Sequence, residues 1–73
     1  MISDHALAQE VNACMLECSA KLDALVARAQ VVCPESEYPG FRLAIGKVMG
    51  EMLLEVMNPL YAQHPDLKPA QLR

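Results

Sequence analysis

Aromatic residues are scarce in this chain, and tryptophan is absent. Its 73 residues include one phenylalanine and two tyrosines, although 53% of the residues are hydrophobic. Sheets are rich in aromatic and β-branched residues, so this composition favours an aliphatic helical core. The same scarcity argues against a platform on which nucleic-acid bases would stack.

Positive charge is also sparse. Six lysines and arginines stand against nine aspartates and glutamates, which gives a net charge of −3. The basic residues are scattered along the chain and form no stripe that could follow a phosphate backbone. We therefore expect no nucleic-acid partner.

A long apolar run and a secretion signal are missing as well. Charged residues interrupt every apolar stretch before the length of about 18 residues that indicates a membrane span. Asp4 and His5 lie where the basic and apolar regions of a signal peptide would begin. The three cysteines are an odd number and specify no disulfide pairing. The sequence thus predicts a cytoplasmic protein without a membrane partner.

Motifs for catalysis or nucleotide binding are not found. There is no convincing strand followed by a glycine-rich phosphate loop, and no Ser/His/Asp or Cys/His arrangement is specified by spacing. We therefore predict no enzymatic activity and no cofactor.

Apolar spacing and proline positions predict one helical-hairpin domain over residues 1–73. Ser3 is the expected N-cap of the first helix. The predicted elements are helix 1 at about 4–32, a turn at about 33–38, helix 2 at about 39–63 with a kink at 58–59, and a tail at 64–73. In the tail, Leu67 and Leu72 are candidates for packing on the helices. Because the connection is short, the helices are expected to be antiparallel neighbours.

Helix 1 carries a main apolar stripe and a second face of smaller residues. The stripe comprises Leu7, Val11, Cys14, Cys18, Leu22, Leu25, Ala29 and Val32. The second face comprises Ala6, Ala13, Leu16, Ala20, Ala24, Ala27 and Val31. The helix propensity of alanine accounts for this second face as well as a further contact surface does, so both interpretations stay open.

Helix 2 has more apolar surface than one neighbouring helix covers. Its apolar residues spread over roughly 240° of the circumference, against the roughly 100° that suffices for a surface helix. The sequence therefore predicts self-association or an unidentified protein partner. The expected oligomer interface comprises Ile45, Met49, Met52, Leu53 and Val56. Gly46 and Gly50 predict a close helix crossing, because each costs about 1 kcal/mol in a helix relative to alanine.

Two groups of residues are candidates for binding chemistry. Arg42 projects into the apolar arc of helix 2. In one interpretation its stem covers apolar surface and its head reaches water. In the other it forms an anion or ion-pair site together with Tyr38. Cys14 and Cys18 lie one turn apart and are expected to pack as small hydrophobes. We assign no metal site, although a symmetric dimer would bring four such thiols together.

The two histidines are a third, weaker candidate. His5 begins helix 1 and His64 follows helix 2, so an antiparallel hairpin allows them to meet at its open end, with Tyr61 nearby. Such a group has the composition of an acid–base or metal site, but spacing fixes no carboxylate beside it. We expect solvated terminal histidines here.

These observations predict an all-α, antiparallel two-helix hairpin with a short C-terminal tail that dimerises into a four-helix bundle. The expected function is that of a small non-enzymatic protein–protein interaction module, of adaptor, regulator or inhibitor type, acting as a helical homo-oligomer. The alternative is a helical bundle that binds a small ligand or metal through Cys14 and Cys18, or through Arg42 and Tyr38.

Overall fold

Two long antiparallel helical arms make up the fold. A computed structural model describes residues 1–72, with side chains described through Gln71. The elements in chain order are α1 (His5–Val32), α2 (Tyr38–Glu51), a π-helical segment (Met52–Met57), α3 (Asn58–Gln63) and two 3-10 turns (Pro65–Leu67 and Ala70–Leu72). No strand occurs within residues 1–72, so the prediction of an all-α helical hairpin is confirmed.

Asp4 caps the N-terminus of α1, whereas the sequence predicts Ser3 as the N-cap. The Asp4 carboxylate accepts a hydrogen bond from the Leu7 backbone N–H at 2.8 Å. This bond satisfies one of the free amides of the first turn, and the negative charge also lies at the positive end of the helix dipole.

The turn between the arms follows from its prolines. Cys33, which precedes Pro34, is extended and ends α1. The Pro34 carbonyl then accepts hydrogen bonds from the amides of Glu37 and Tyr38, at 2.9 and 3.2 Å. Pro39 lies in the first turn of α2, where its missing N–H breaks no helical bond.

The second arm does not end at Asn58–Pro59. The helix widens into the π segment immediately before this step, and the Asn58 N–H donates to the Leu53 carbonyl five residues earlier. Pro59 then occupies the first turn of α3. A π turn is one of the ways in which a helix accommodates a residue that cannot continue the regular bonding pattern, so the predicted disturbance takes this form.

The covered face of α1 differs from the predicted stripe. Val11, Cys18 and Leu22 are half-buried and Ala29 is buried, but Leu7, Cys14, Leu25 and Val32 are exposed. The remaining covered positions are Ala8, Asn12, Met15, Ser19 and Val26. At 100° per residue, the covered face is rotated by about 60° from the predicted one. Ala8, a small side chain next to the predicted Leu7, is 0% exposed.

Buried side chains gather at the open end of the hairpin, residues 1–12 and 57–67. Ala8, Met57, Leu60, Tyr61 and His64 are buried there. At the turn end, residues 25–48, Ala29 is the buried side chain. The molecule is elongated, measuring 45 × 20 × 16 Å. No helix within residues 1–72 has both the length and the apolar character needed to cross a membrane.

The C-terminal tail returns toward α1. The Asn12 side-chain amide donates to the Leu67 carbonyl at 3.2 Å, and the Leu67 side chain is half-buried. The expectation that Leu72 packs on the helices concerns a side chain outside those described, and Arg73 lies outside the described residues.

Candidate functional site

A polar cluster joins the N-terminal and C-terminal segments at the open end. The Tyr61 hydroxyl donates to the Asn12 side-chain oxygen at 2.5 Å. The N-terminal ammonium of Met1 donates to the Gln63 side-chain oxygen at 2.9 Å. Both bonds join residues far apart in the sequence, so they hold α3 against the N-terminal residue and α1.

Both histidines belong to this cluster. Their ring centroids lie 5.3 Å apart, with the planes at 69° in an edge-to-face arrangement. His5 Nε2 lies 2.8 Å from Asp66 Oδ2, and His64 Nε2 lies 2.6 Å from the Ile2 carbonyl oxygen. The expectation of solvated histidines is wrong for His64, which is 8% exposed, whereas the His5 side chain is half-exposed. The Ile2 carbonyl and the His5 ring lie against His64.

Asp66 is the functional residue that sequence reasoning missed. It lies 61 residues from His5 in the sequence, so no helical spacing connects the two. A signal was available in His64–Pro65–Asp66, because a proline after a helix C-terminus favours a turn, and a turn here brings Asp66 back beside the helix ends.

Charge and burial shift two proton equilibria in the cluster. The hydrogen bond from His5 lowers the pKa of the Asp66 carboxyl below its ordinary value. Burial raises the pKa of the Tyr61 phenol above its ordinary value. The cluster therefore favours an ionised carboxylate beside a neutral phenol, which remains the donor to Asn12.

The cysteine pair has little metal-site character in a single chain. Cys14 is exposed and Cys18 is half-buried, and both are free thiols. A hydrogen bond with Cys18 raises the pKa of the Cys14 thiol above its ordinary value. This shift disfavours the thiolate that would bind a soft metal. Whether a dimer gathers four thiols stays a prediction.

Arg42 and Tyr38 line different grooves at the turn end. Arg42 is exposed beside Pro39, Leu43 and Lys47, in a shallow depression of about 610 Å³. Tyr38 lines a separate depression of about 480 Å³ with Glu35 and Cys33. Within residues 1–72 Arg42 forms no ion pair, and its position fits a side chain that reaches water.

The outer surface of the second arm, from α2 into the π segment, carries an apolar face with a shallow centre. We call it the glycine face, and it comprises Leu43, Gly46, Gly50 and Leu54 at steps of three and four residues. The leucines are 62% and 63% exposed. A Cβ placed on either glycine meets no atom within 4 Å. The hairpin itself therefore makes no close crossing here, and a crossing by another chain stays a prediction.

The predicted interface residues are partly covered by the hairpin itself. Ile45, Met49, Met52 and Val56 are half-buried, and Leu53 is 38% exposed. The predicted interface residues thus lie on the side of the second arm that already has partial cover, and their role in association stays a prediction. Leu43 and Leu54 lie on the more open side, at helical spacing from the two glycines.

Comparison of the chain with protein-family models, with curated proteins and with solved structures finds no match.

Proposed function

We propose that this protein is a small non-enzymatic interaction module that acts as a homodimer, with the glycine faces of two chains packed against each other in a four-helix bundle. The observation that carries the proposal is the exposure of Leu43 and Leu54 on either side of two glycines at which an added Cβ would meet no neighbouring element within 4 Å. Large apolar side chains around a shallow centre suit a closely approaching helix.

The amount of exposed surface supports the same proposal. The chain exposes 5161 Å², whereas about 4,450 Å² is typical of a compact monomer of its mass. The excess of about 700 Å² is close to the roughly 800 Å² that each partner buries in a standard interface. A second copy of the chain thus buries about as much surface as this hairpin exposes in excess of a compact monomer.

The chemistry of the face also favours a second copy. A two-fold axis brings the same face of both chains together, so leucines of one chain meet the glycines and leucines of the other. Burying the exposed part of each leucine contributes about 1–2 kcal/mol. The small residues allow the close backbone approach that makes this packing dense.

The other exposed apolar residues are available to a different protein. Val31 and Val32, at the end of α1, are 84% and 66% exposed, and the alanines of the second α1 face are also exposed. In the proposed dimer these positions present the surface on which an adaptor, regulator or inhibitor recognises its partner. We place this activity in the cytoplasm, because three free cysteines suit a reducing compartment.

Light scattering across a concentration series, with reductant present, tests the proposal. We expect a mass of two chains that persists on dilution. Leu54→Glu should give a folded monomer, because it places charge in the glycine face while replacing an exposed side chain. Ala44→Glu is the matched control, with the same added charge at an exposed position of α2 on the side of Lys47 and Glu51, and it should remain a dimer.

Two outcomes would contradict the proposed dimer. A well-folded wild-type monomer at every concentration would show that the exposed surface needs no second copy. An unchanged dimer mass for Leu54→Glu, with a normal helical circular dichroism spectrum, would show that the chains associate through another face.

A further inference from the structure

We propose that His5, His64 and Asp66 form a binding site for a single Zn²⁺ ion that fastens the open end of the hairpin. One potential ligand atom from each residue can be chosen so that all three lie within 4.8 Å of one another. Two imidazoles and one carboxylate, with a fourth position left to water, are a ligand set that zinc commonly uses. This site is separate from the glycine face and does not depend on dimerisation.

The hydrogen bond of His64 leaves the other ring nitrogen suited to metal binding. A carbonyl oxygen only accepts, so the 2.6 Å contact with the Ile2 carbonyl requires His64 Nε2 to carry the proton. The lone pair of this ring is then at Nδ1. Metal-ligating histidines commonly donate their second nitrogen to a backbone carbonyl in this way, which fixes both tautomer and orientation. Burial of His64 further restricts its ring.

His5 and Asp66 complete the site with a small adjustment. Their facing atoms, His5 Nε2 and Asp66 Oδ2, are 2.8 Å apart. Two ligands at about 2.0–2.1 Å from a tetrahedral zinc lie about 3.4 Å from each other. Opening this contact by about 0.6 Å, and drawing in the His64 ring nitrogen from a separation of up to 4.8 Å, admits the ion. His5 then binds through Nε2 as the tautomer that carries its proton on Nδ1.

The location explains what such an ion would do for the fold. His5 lies in the first turn of α1, and Asp66 lies in the turn after α3, 61 residues later. Domains of this size bury a small core, and a structural metal is one of the recurrent ways to stabilise them. Because the unfolded chain does not hold the ligands together, zinc binding adds to the free energy of unfolding.

Calorimetric titration of the full chain with Zn²⁺, in parallel with thermal melts, tests the site. We expect one ion per chain, a rise in Tm with zinc concentration, and no change of oligomeric mass on zinc addition. His5→Ala and Asp66→Asn should each weaken binding by at least about 10-fold, since even the loss of a residue that only supports a ligand costs 10–100-fold. Both side chains are at least half-exposed, so the variants should fold.

Two matched controls separate this site from other sources of binding. Asp23→Asn makes the same charge change as Asp66→Asn at an exposed position within α1, and it should bind zinc like the wild type. A variant with serine at Cys14, Cys18 and Cys33 should also bind normally. Titration with Co²⁺ should give the weak visible bands of nitrogen and oxygen ligands, without the intense near-ultraviolet absorption of cobalt–thiolate bonds.

Several results would overturn the zinc site. These are wild-type affinity weaker than millimolar, unchanged affinity in both His5→Ala and Asp66→Asn, or loss of binding in the cysteine-free variant. A mass that doubles only when zinc is added would also overturn it, because the ion would then bridge two chains. None of these results bears on dimerisation in the presence of a chelator, which tests the proposed function separately.

Discussion

The two ends of the hairpin differ in how far the chain itself buries their apolar side chains. At the open end, long-range hydrogen bonds from Tyr61 and His64 enclose a small core around Leu60, which is 0% exposed. At the turn end, Leu43 and Val31 are 62% and 84% exposed. One chain thus covers its apolar side chains at the open end and leaves large apolar side chains exposed at the turn end.

The difference between the ends has a simple geometric origin. The open end has three segments, since the tail returns over the start of α1 and adds Leu67 to the contacts of Asn12. The turn end has two helices and a connection of a few residues, between Val32 and Tyr38. Two helices cover only one stripe of each other, so apolar residues on the remaining circumference stay in water.

The largest expected effect compares a leucine from each end. Leu60→Ala should lower the free energy of unfolding by about 2–5 kcal/mol, because it leaves a cavity at a fully buried position. Leu43→Ala, the same change at an exposed position, should change monomer stability by less than about 0.5 kcal/mol. Urea denaturation of both variants in the Leu54→Glu background, which is expected to be monomeric, measures both effects. Equal losses in the free energy of unfolding for the two variants would contradict the difference in burial between the two ends.

The hairpin could be predicted from sequence because local rules determine it. Proline positions fix the break between the arms, and Glu17 and Lys21, at the i,i+4 spacing of a helix, form an ion pair at 3.2 Å. The covered face of α1 could not be predicted in this way. Hydrophobicity favours Leu7, whereas the packing of the arms buries the smaller Ala8.

The polar cluster was predictable only in part. An antiparallel hairpin brings His5 and His64 to the same end, and this step follows from topology. The partners of the two rings depend on the path of the returning tail, which no helical periodicity describes. For this reason neither Asp66 nor the Ile2 carbonyl could be assigned from spacing.

The next largest effect concerns the hydrogen bond of Tyr61. Tyr61→Phe should cost about 1–3 kcal/mol, because the half-buried Asn12 oxygen loses its donor. Tyr38→Phe, at the turn end, is the matched control and should cost less than about 0.5 kcal/mol. Chemical denaturation of both variants near neutral pH makes the comparison. A similar cost for the two tyrosines would mean that the open-end bond contributes little to stability.

Alkaline pH offers a second measurement on the same residue. Burial raises the pKa of Tyr61 in the folded chain, so folding favours the neutral phenol. This contribution to stability is fully present below the unfolded value of about 10 and is lost as the pH rises through the higher folded value. Wild type should therefore lose stability more steeply than Tyr61→Phe in this range. If the stabilities of the two proteins fell in parallel with rising pH, the result would contradict a raised pKa of Tyr61 in the folded chain.

The glycine face should respond to alanine in opposite ways for folding and association. Gly46→Ala and Gly50→Ala should each stabilise the monomer by up to about 1 kcal/mol, because alanine favours helix and the added Cβ meets nothing within 4 Å. The same methyl groups should weaken dimerisation if the helices of two chains cross closely there. Denaturation in the monomeric Leu54→Glu background measures the effect on folding, and light scattering on dilution without that substitution measures the effect on association. Stabilised variants with unchanged dimer affinity would place the crossing elsewhere.

The smallest effect lies in the exposed pair of His5 and Asp66. The hydrogen bond from His5 lowers the pKa of Asp66 in the folded chain, so ionised Asp66 stabilises the fold. That contribution is present above the unfolded value of about 3.9 and is lost as the pH falls through the lower folded value. Asp66→Asn should therefore flatten the acid side of a plot of Tm against pH, measured with a chelator so that bound metal does not contribute. Asp23→Asn is the control and should keep the wild-type slope. An unchanged slope for Asp66→Asn would show that solvent screens the interaction between His5 and Asp66 completely. The stability of the open end would then come from Tyr61 and the buried side chains.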